Sequence, residues 1–290
     1  MISQYFQKSL EYFVLNDNKY LSFYILMIMI IQICERNIMS VKKTIYEEIK
    51  AIVIILLFVF MIKVAIVETF FVPSSSMRET LMEGDYIFAT KYDYGYSKYS
   101  FLFFAPDYFK GRFLGAEPKV GDIVIFKPNN DVMHPRYVKR LIGLPGDKIQ
   151  MINSVLYIND KPVDKKFVKI VEQNGMKYKQ YIETLPNGVE HYTQYVINSI
   201  FSSMGDNTDA FRVPEGSYFF MGDNRNNSKD SRFELGYVPF ENLIAKAKVI
   251  FFSTSEKLWL DEGSFAERIM QIPRWILSIR LDRIKSVCSL

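Results

Sequence analysis

The sequence predicts a mainly β protein: an antiparallel β-sheet domain that carries an inserted β-rich subdomain and follows one or two transmembrane helices. Three observations lead there. Two apolar runs lie within the first 67 residues, and from about residue 70 the pattern changes to short β-branched and aromatic stretches opened by Gly-Asp turns. Between residues 70 and 255 few segments repeat with the 3.6-residue period of a helix face, so the strands must pack mainly on one another.

The first apolar run, Tyr20 to Cys34, has 15 residues, fewer than the roughly 20 of a spanning helix. The second, Ala51 to Val67, has 17, interrupted only by Lys63, which is near enough to the end for its ammonium to reach the interface. Apolar on every side, this second run fits a membrane span better than a helix with one buried stripe. Residues 1–49 therefore read as an N-terminal segment with a candidate first span at 20–34, and 50–68 as the anchor. Arg36, Lys42, Lys43 and Lys50 lie between the runs; the positive-inside rule puts them in the cytoplasm and everything after Val67 outside. Neither run ends in a small-residue cleavage site, so an uncleaved anchor is expected. Met39 opens a short basic lead into the second run and offers an alternative start.

Residues 69–255 form the outer domain, its core at 69–149 and 213–255 and its insert at 150–212. Gly84–Tyr92 and Gly121–Pro128 each read as a Gly-Asp turn feeding a strand. RYVKRLIG is another strand, closed by the Leu-Pro-Gly-Asp turn. SVLYINDKPV reads as a hairpin with Asn159-Asp160 at its tip. Asn174-Gly175 and Asn187-Gly188 mark further turns, and SYFFMGDN and AKVIFFS complete the strands. The apolar loop 96–112 reads equally as buried strand or as a surface dipping into lipid. In the tail, 256–290, aliphatic residues alternate with Arg268, Arg274, Arg280 and Arg283, as in an amphipathic helix at a membrane or, preferably, a docking helix with a solvated basic face.

Composition excludes several classes. A net charge of +4 without a Lys/Arg block gives no phosphate-binding stripe, so no nucleic acid partner is expected. Cys34 and Cys288 lie near opposite ends of the chain, which argues against a structural disulfide. No CxxC or Cys/His cluster offers zinc ligands, and no cofactor or ATP motif stands out.

The chemistry gathers around a serine and a lysine. Val72-Pro73-Ser74-Ser75-Ser76-Met77 follows the anchor, and Tyr137-Val138-Lys139-Arg140 lies in a strand. Serine needs an adjacent base. The only imidazoles, His134 and His191, sit beside turn residues and read as ordinary surface histidines, which disfavours a Ser-His-Asp triad. Lys139 is the alternative, provided that desolvation brings its pKa down from ~10.4. Alternation puts Tyr137, Lys139 and Leu141 on one face and Val138, Arg140 and Ile142 on the other. A lone strand lysine is more often a solvated edge charge. The loop GDNRNNSKDSR, Gly222 to Arg232, tips the balance, because Asp and Arg at such density brace something.

FVPSSSMRETLMEGDYIF, KVGDIVIFKP, YVKRLIGLPGDKI and GDNRNNSKDSR, in this order behind an N-terminal anchor, resemble the consecutive sequence boxes of bacterial type I signal peptidases. The resemblance covers roughly residues 50–160 and 213–253. It implies a membrane-anchored serine endopeptidase of the bacterial cytoplasmic membrane, with its catalytic domain on the outer side; the sequence does not give the oligomeric state, and a monomer is the expectation. Its substrates would be exported preproteins, whose signal peptides it removes after small residues, the Ala-x-Ala rule. Ser76 matches the nucleophile, Lys139 the general base, and Ser74 an oxyanion-hole hydroxyl. Ser228 matches the residue that orients the lysine, Asp230 and Arg232 a salt-bridged brace, and Asp223 and Arg140 structural positions. Phe70, Val72, Met77, Tyr137 and Val138 match positions that line shallow apolar pockets. Ser75 and Asn226 depart from the Gly and Asp common in the family. A narrower maturation protease or a silent signal-peptide scaffold are the rivals; the SxxK match at Ser40–Lys43 is chance.

Overall fold

The computed structural model describes residues 21–100, 111–129, 136–173, 175–197, 203, 205–255 and 265–287. The chain divides into two compact units, Met1–Phe60 and Met61–Leu290. Leu21–Ala65 is one 45-residue helix, α1, which carries both apolar runs and the basic stretch between them. With neither Gly nor Pro in those residues, no local chemistry stops the helix at Cys34. No helix among the described residues is long and apolar enough to cross a membrane.

The second unit is mainly antiparallel β. In chain order its strands are β1 (Val67–Phe71), β2 (Asp85–Thr90), β3 (Ile123–Phe126), β4 (Tyr137–Gly143), β5 (Lys148–Ile152), β6 (Val155–Ile158), β7 (Lys161–Pro162), β8 (Asp164–Gln173), β9 (Met176–Thr184), β10 (Glu190–Val196), β11 (Phe211–Arg212), β12 (Ser217–Met221), β13 (Val238–Pro239), β14 (Leu243–Ser253) and β15 (Lys285–Ser286). An eight-stranded sheet runs β1-β2-β14-β3-β4-β12-β13, with β15 on β14. Between β4 and β12 the chain builds a three-stranded sheet, β10-β9-β8, and a four-stranded one, β11-β5-β6-β7. The Asn159-Asp160 hairpin forms as expected, with Ile158 opposite Lys161 and both tip residues at positive φ, 52° and 61°.

The large sheet is buried on both faces around the site. Along β3, Ile123 and Ile125 join a core with Phe70, Met77, Leu81 and Ile87, while Val124 and Phe126 join another with Leu141, Tyr218 and Phe220. Strand alternation makes this division. β4 lies between β3 and β12, so Lys139 is an interior residue of a central strand, not an edge charge.

Residues 101–110, the centre of the apolar loop, lie outside the described residues; its flanks meet in a bridge between Tyr96 and Phe113. The tail contains a helix, α2 (Phe265–Leu277). The expected solvated basic face is corrected at two positions. Arg280 Nε donates to Ser253 Oγ at 2.9 Å, and Arg283 pairs with the buried carboxylate of Asp85 at 2.6 Å. Both arginines lie past the helix, where the chain turns back to add β15 to the sheet.

Candidate active site

Ser76 sits in a short 3-10 turn, Ser75–Met77, right after β1. Pro73 has no N–H to extend the β1 ladder, and Ser74 enters the turn in extended conformation (φ −131°, ψ 157°). The neighbouring Met77 side chain is buried in the core with Phe70, Val72 and Leu81, and this fixes the turn. Ser76 is left with 9% of its surface exposed.

Lys139 reaches the same point from β4. Its Nζ donates a hydrogen bond to Ser76 Oγ, bringing together residues 63 apart in sequence. The amine is buried, with 3% of the residue exposed, and lies 5.5 Å from the Tyr137 ring centroid. Burial pushes its pKa down to about 8, Asp230 and Asp223 pull the other way, and Arg232 adds to the lowering. Desolvation wins because an ammonium loses its hydration in an apolar strand without gaining a carboxylate in direct contact. Ser74 Oγ lies 3.4 Å from Ser76 Oγ on the exposed side of the turn, where a hydroxyl could face an incoming carbonyl oxygen.

The loop after β12 packs against this pair. Asn224 N–H donates to Ser76 O at 3.0 Å and its side-chain amide donates to Ser75 O at 3.1 Å. Asn227 reaches Ser75 Oγ at 2.8 Å, so the serine at the position where Gly is common holds a contact with this loop. Gly222 must be glycine for want of space: a Cβ there would stand 2.5 Å from Ser76 O and collide with Ser228 Oγ. Asp230 takes two hydrogen bonds from the Arg232 guanidinium, both 2.9 Å, one from Arg232 N–H at 3.2 Å and one from Gly222 N–H at 3.0 Å. Burial raises the Asp230 pKa, but Arg232 and these bonds outweigh it and hold the carboxyl below its ordinary range. Ser228 is buried here, beside Asp230, and its hydroxyl makes no well-formed hydrogen bond.

Arg140, next to Lys139 but on the opposite face, is bound to Asp223 through Nε at 2.8 Å and Nη2 at 2.7 Å. Thr80 donates to the same carboxylate at 2.5 Å. Of the predicted pocket residues, Phe70, Val72 and Met77 belong to one core with Val138 packed on it, and Tyr137 belongs to the other.

His191 corrects an expectation. It is buried, not on the surface, 3.8 Å from Glu183 and 3.9 Å from Asp223, with neither ring nitrogen hydrogen-bonded. Burial, reinforced by the Arg140 charge, pushes its pKa to about 3, so it is neutral. The Asn187-Gly188 turn before it suggests a surface position, but β10 folds inward against the loop after β12, where Gln194 N–H donates to Asp223 O at 2.9 Å. His134 lies outside the described residues. A cleft of about 600 Å³ borders Arg140 and His191, not Ser76 or Lys139. Sequence reasoning also missed Thr80, Asn224 and Glu183. The first two stand inside quoted motifs, whereas Glu183 has no local signal.

The family model described as "Signal peptidase, peptidase S26" matches residues 45–252, a stretch that contains every side chain of this site. The chain belongs to this family. Among its relatives, a signal peptidase I of Rickettsia canadensis is 49% identical, the match covering 84% of this chain and 94% of that one. A signal peptidase I of Rickettsia prowazekii is 48% identical over 86% and 96% of the two chains. A crystal structure of a signal peptidase I from Enterococcus faecalis is 25% identical and covers 45% of this chain and 97% of that one, with a TM-score of 0.27. Membership makes the chain a hydrolase, a peptidase of the S26 type.

Proposed function

We propose that the chain is a membrane-anchored serine endopeptidase that removes N-terminal signal peptides from exported preproteins, with Ser76 as nucleophile and Lys139 as general base. One observation carries the reading: a buried amine with a lowered pKa, hydrogen-bonded to a serine hydroxyl. With a pKa of about 8, roughly a tenth of the lysine is neutral at pH 7, enough to accept a proton.

Lys139 takes the Ser76 proton as Oγ bonds to the scissile carbonyl carbon. Ser74 Oγ and the Ser76 N–H donate to the oxygen as it becomes negative. The C–N bond then breaks, and the Lys139 ammonium gives its proton to the leaving amine. Water, deprotonated by Lys139 in turn, attacks the ester and restores Ser76. Arg140, Asp223, Asp230 and Arg232 hold the loop behind the pair, and Ser228, buried in that loop, would orient the Lys139 amine.

The substrate would pair with strand edges near Ser76; β1, the terminal strand of its sheet, leads straight into the nucleophile turn. Tyr137 and Val138, both half-buried, would offer apolar surface beside that approach, which suits small residues at −3 and −1, the Ala-x-Ala rule; Phe70, Val72 and Met77 lie in the core behind it.

Anchoring would place the catalytic unit on the outer face of the bacterial cytoplasmic membrane and raise the effective concentration of membrane-held substrates. Its support is the run from Ile52 to Phe60 on α1, whose side chains are roughly half exposed and form a surface that lipid would cover. The reading invokes no cofactor, metal or nucleic acid, and treats the enzyme as a monomer on the lipid bilayer. The test is cleavage of a purified preprotein bearing an Ala-x-Ala site. The intact chain should release a mature N-terminus directly after the second alanine, Ser76→Ala should release none, and alkaline carbonate should leave the chain in the membrane fraction. Cleavage by folded Ser76→Ala would overturn the nucleophile, and extraction by carbonate the anchor.

A further inference from the structure

The three-stranded sheet β10-β9-β8 touches both halves of the site. Gln194 of β10 accepts a hydrogen bond from Arg225 N–H at 3.0 Å and donates one to Asp223 O at 2.9 Å, so the strand forms a parallel bridge with the catalytic loop at Asn224. Asn224 is the residue whose N–H holds Ser76 O. From β9, Glu183 takes Arg225 Nη1 at 2.9 Å and Nη2 at 2.6 Å, while Arg225 Nε binds Gly222 O at 3.2 Å. Arg232 Nη2 in turn donates to Arg225 O at 2.6 Å. Beyond Ser76, Glu79 holds a left-handed backbone (φ 89°), and Gln173 of β8 and Gln180 of β9 both donate to its carboxylate.

We infer that this inserted sheet positions the Ser76–Lys139 pair, with Glu183 as the positioning residue that fixes the catalytic loop through Arg225. The inference rests on the Ser–Lys reading of the site. Arg225 and Glu183 are both essentially excluded from solvent. A guanidinium does not give up its proton in a protein, so without Glu183 the buried Arg225 has to move toward water. That movement pulls on Gly222 O, on the Arg232–Asp230 brace and on Asn224, the contacts that wrap Lys139 and Ser76. The Glu183 carboxyl answers the guanidinium: burial raises its pKa, but Arg225 overrides this and keeps it ionised. Water admitted by a loosened loop would relieve the desolvation that lowers the Lys139 pKa and move that pKa up. One unit upward leaves about a tenth of the neutral lysine at pH 7.

The test uses the full chain in detergent and reads Lys139 directly, by competitive labelling with trace acetic anhydride and peptide mass spectrometry across pH 6–11. Glu183→Gln should raise the lysine pKa by about one unit and cut turnover at pH 7 about tenfold. Glu183→Asp, which keeps the charge, should restore part of both. If Glu183→Gln does not fold, Gln180→Ala removes the grip on Glu79 and should shift the same readout in the same direction. A folded variant whose Lys139 titrates as in the unaltered chain overturns the inference, whatever its turnover. Retained cleavage by Lys139→Ala would instead sink the Ser–Lys reading and leave the labelling result intact, so the two failures are separable.

Discussion

Arg140 and Asp223 are joined by two hydrogen bonds, 2.8 and 2.7 Å, that stitch the strand of the proposed base to the loop behind it. Because Arg140 follows Lys139, this pair fixes the lysine's strand register from the opposite face. Burial raises the Asp223 pKa, but Arg140 and its hydrogen bonds outweigh that and keep it ionised. Arg140→Ala would leave this carboxylate buried without its cation, a change worth about 3–5 kcal/mol. The expected result is a melting temperature lower by roughly 10 °C. Replacing both residues with apolar ones of similar volume should cost less, which calorimetry of the two variants beside the unaltered chain would show.

Gly222→Ala should displace the nucleophile turn, since the new Cβ meets the backbone oxygen of Ser76 at 2.5 Å and backbone cannot swing aside. A shift of about 1 Å at a reacting group is worth roughly a hundredfold in rate. Single-turnover cleavage by a folded Gly222→Ala variant at the unaltered rate would show that the turn and loop are not rigidly coupled.

Ser74→Ala removes an exposed hydroxyl 3.4 Å from Ser76 Oγ. A lost oxyanion donor raises the barrier by about 3–4 kcal/mol, so kcat should fall by a factor of about 100–1,000 with KM nearly unchanged. An equal loss in substrate binding would assign Ser74 to the pocket instead.

Stability should also depend on Lys139. Its folded pKa, about 8, lies below the ordinary ~10.4, so between those values the unfolded chain binds more protons. Its contribution to stability therefore rises as pH increases from about 8 to ~10.4. Lys139→Met should flatten that part of the stability curve in urea titrations.

Much of this fold is legible in sequence because its signals are local. Gly-Asp turns followed by β-branched runs set β2 and β3, and the Asn159-Asp160 tip sets its hairpin. The Ser76, Lys139 and Asp230–Arg232 positions are legible because the motifs stand in fixed order. What stays hidden depends on distant partners. Lys139 is buried by β3 and β12, one of them about eighty residues downstream, so alternation within its own strand does not reveal the desolvation. His191 and Glu183 lie in polar, Tyr-rich strands whose inner face exists only where the insert meets the catalytic loop. Arg283 looks solvated until Asp85, 198 residues earlier, is placed beside it.

The central claim is that neutral Lys139 is the base for Ser76, and the pH profile of single-turnover preprotein cleavage tests it most directly. The rate should rise about tenfold per unit below pH 7 and level off above a midpoint near 8, and Lys139→Ala should abolish it. A flat profile from pH 6 to 10, or cleavage retained by Lys139→Ala, would contradict the claim.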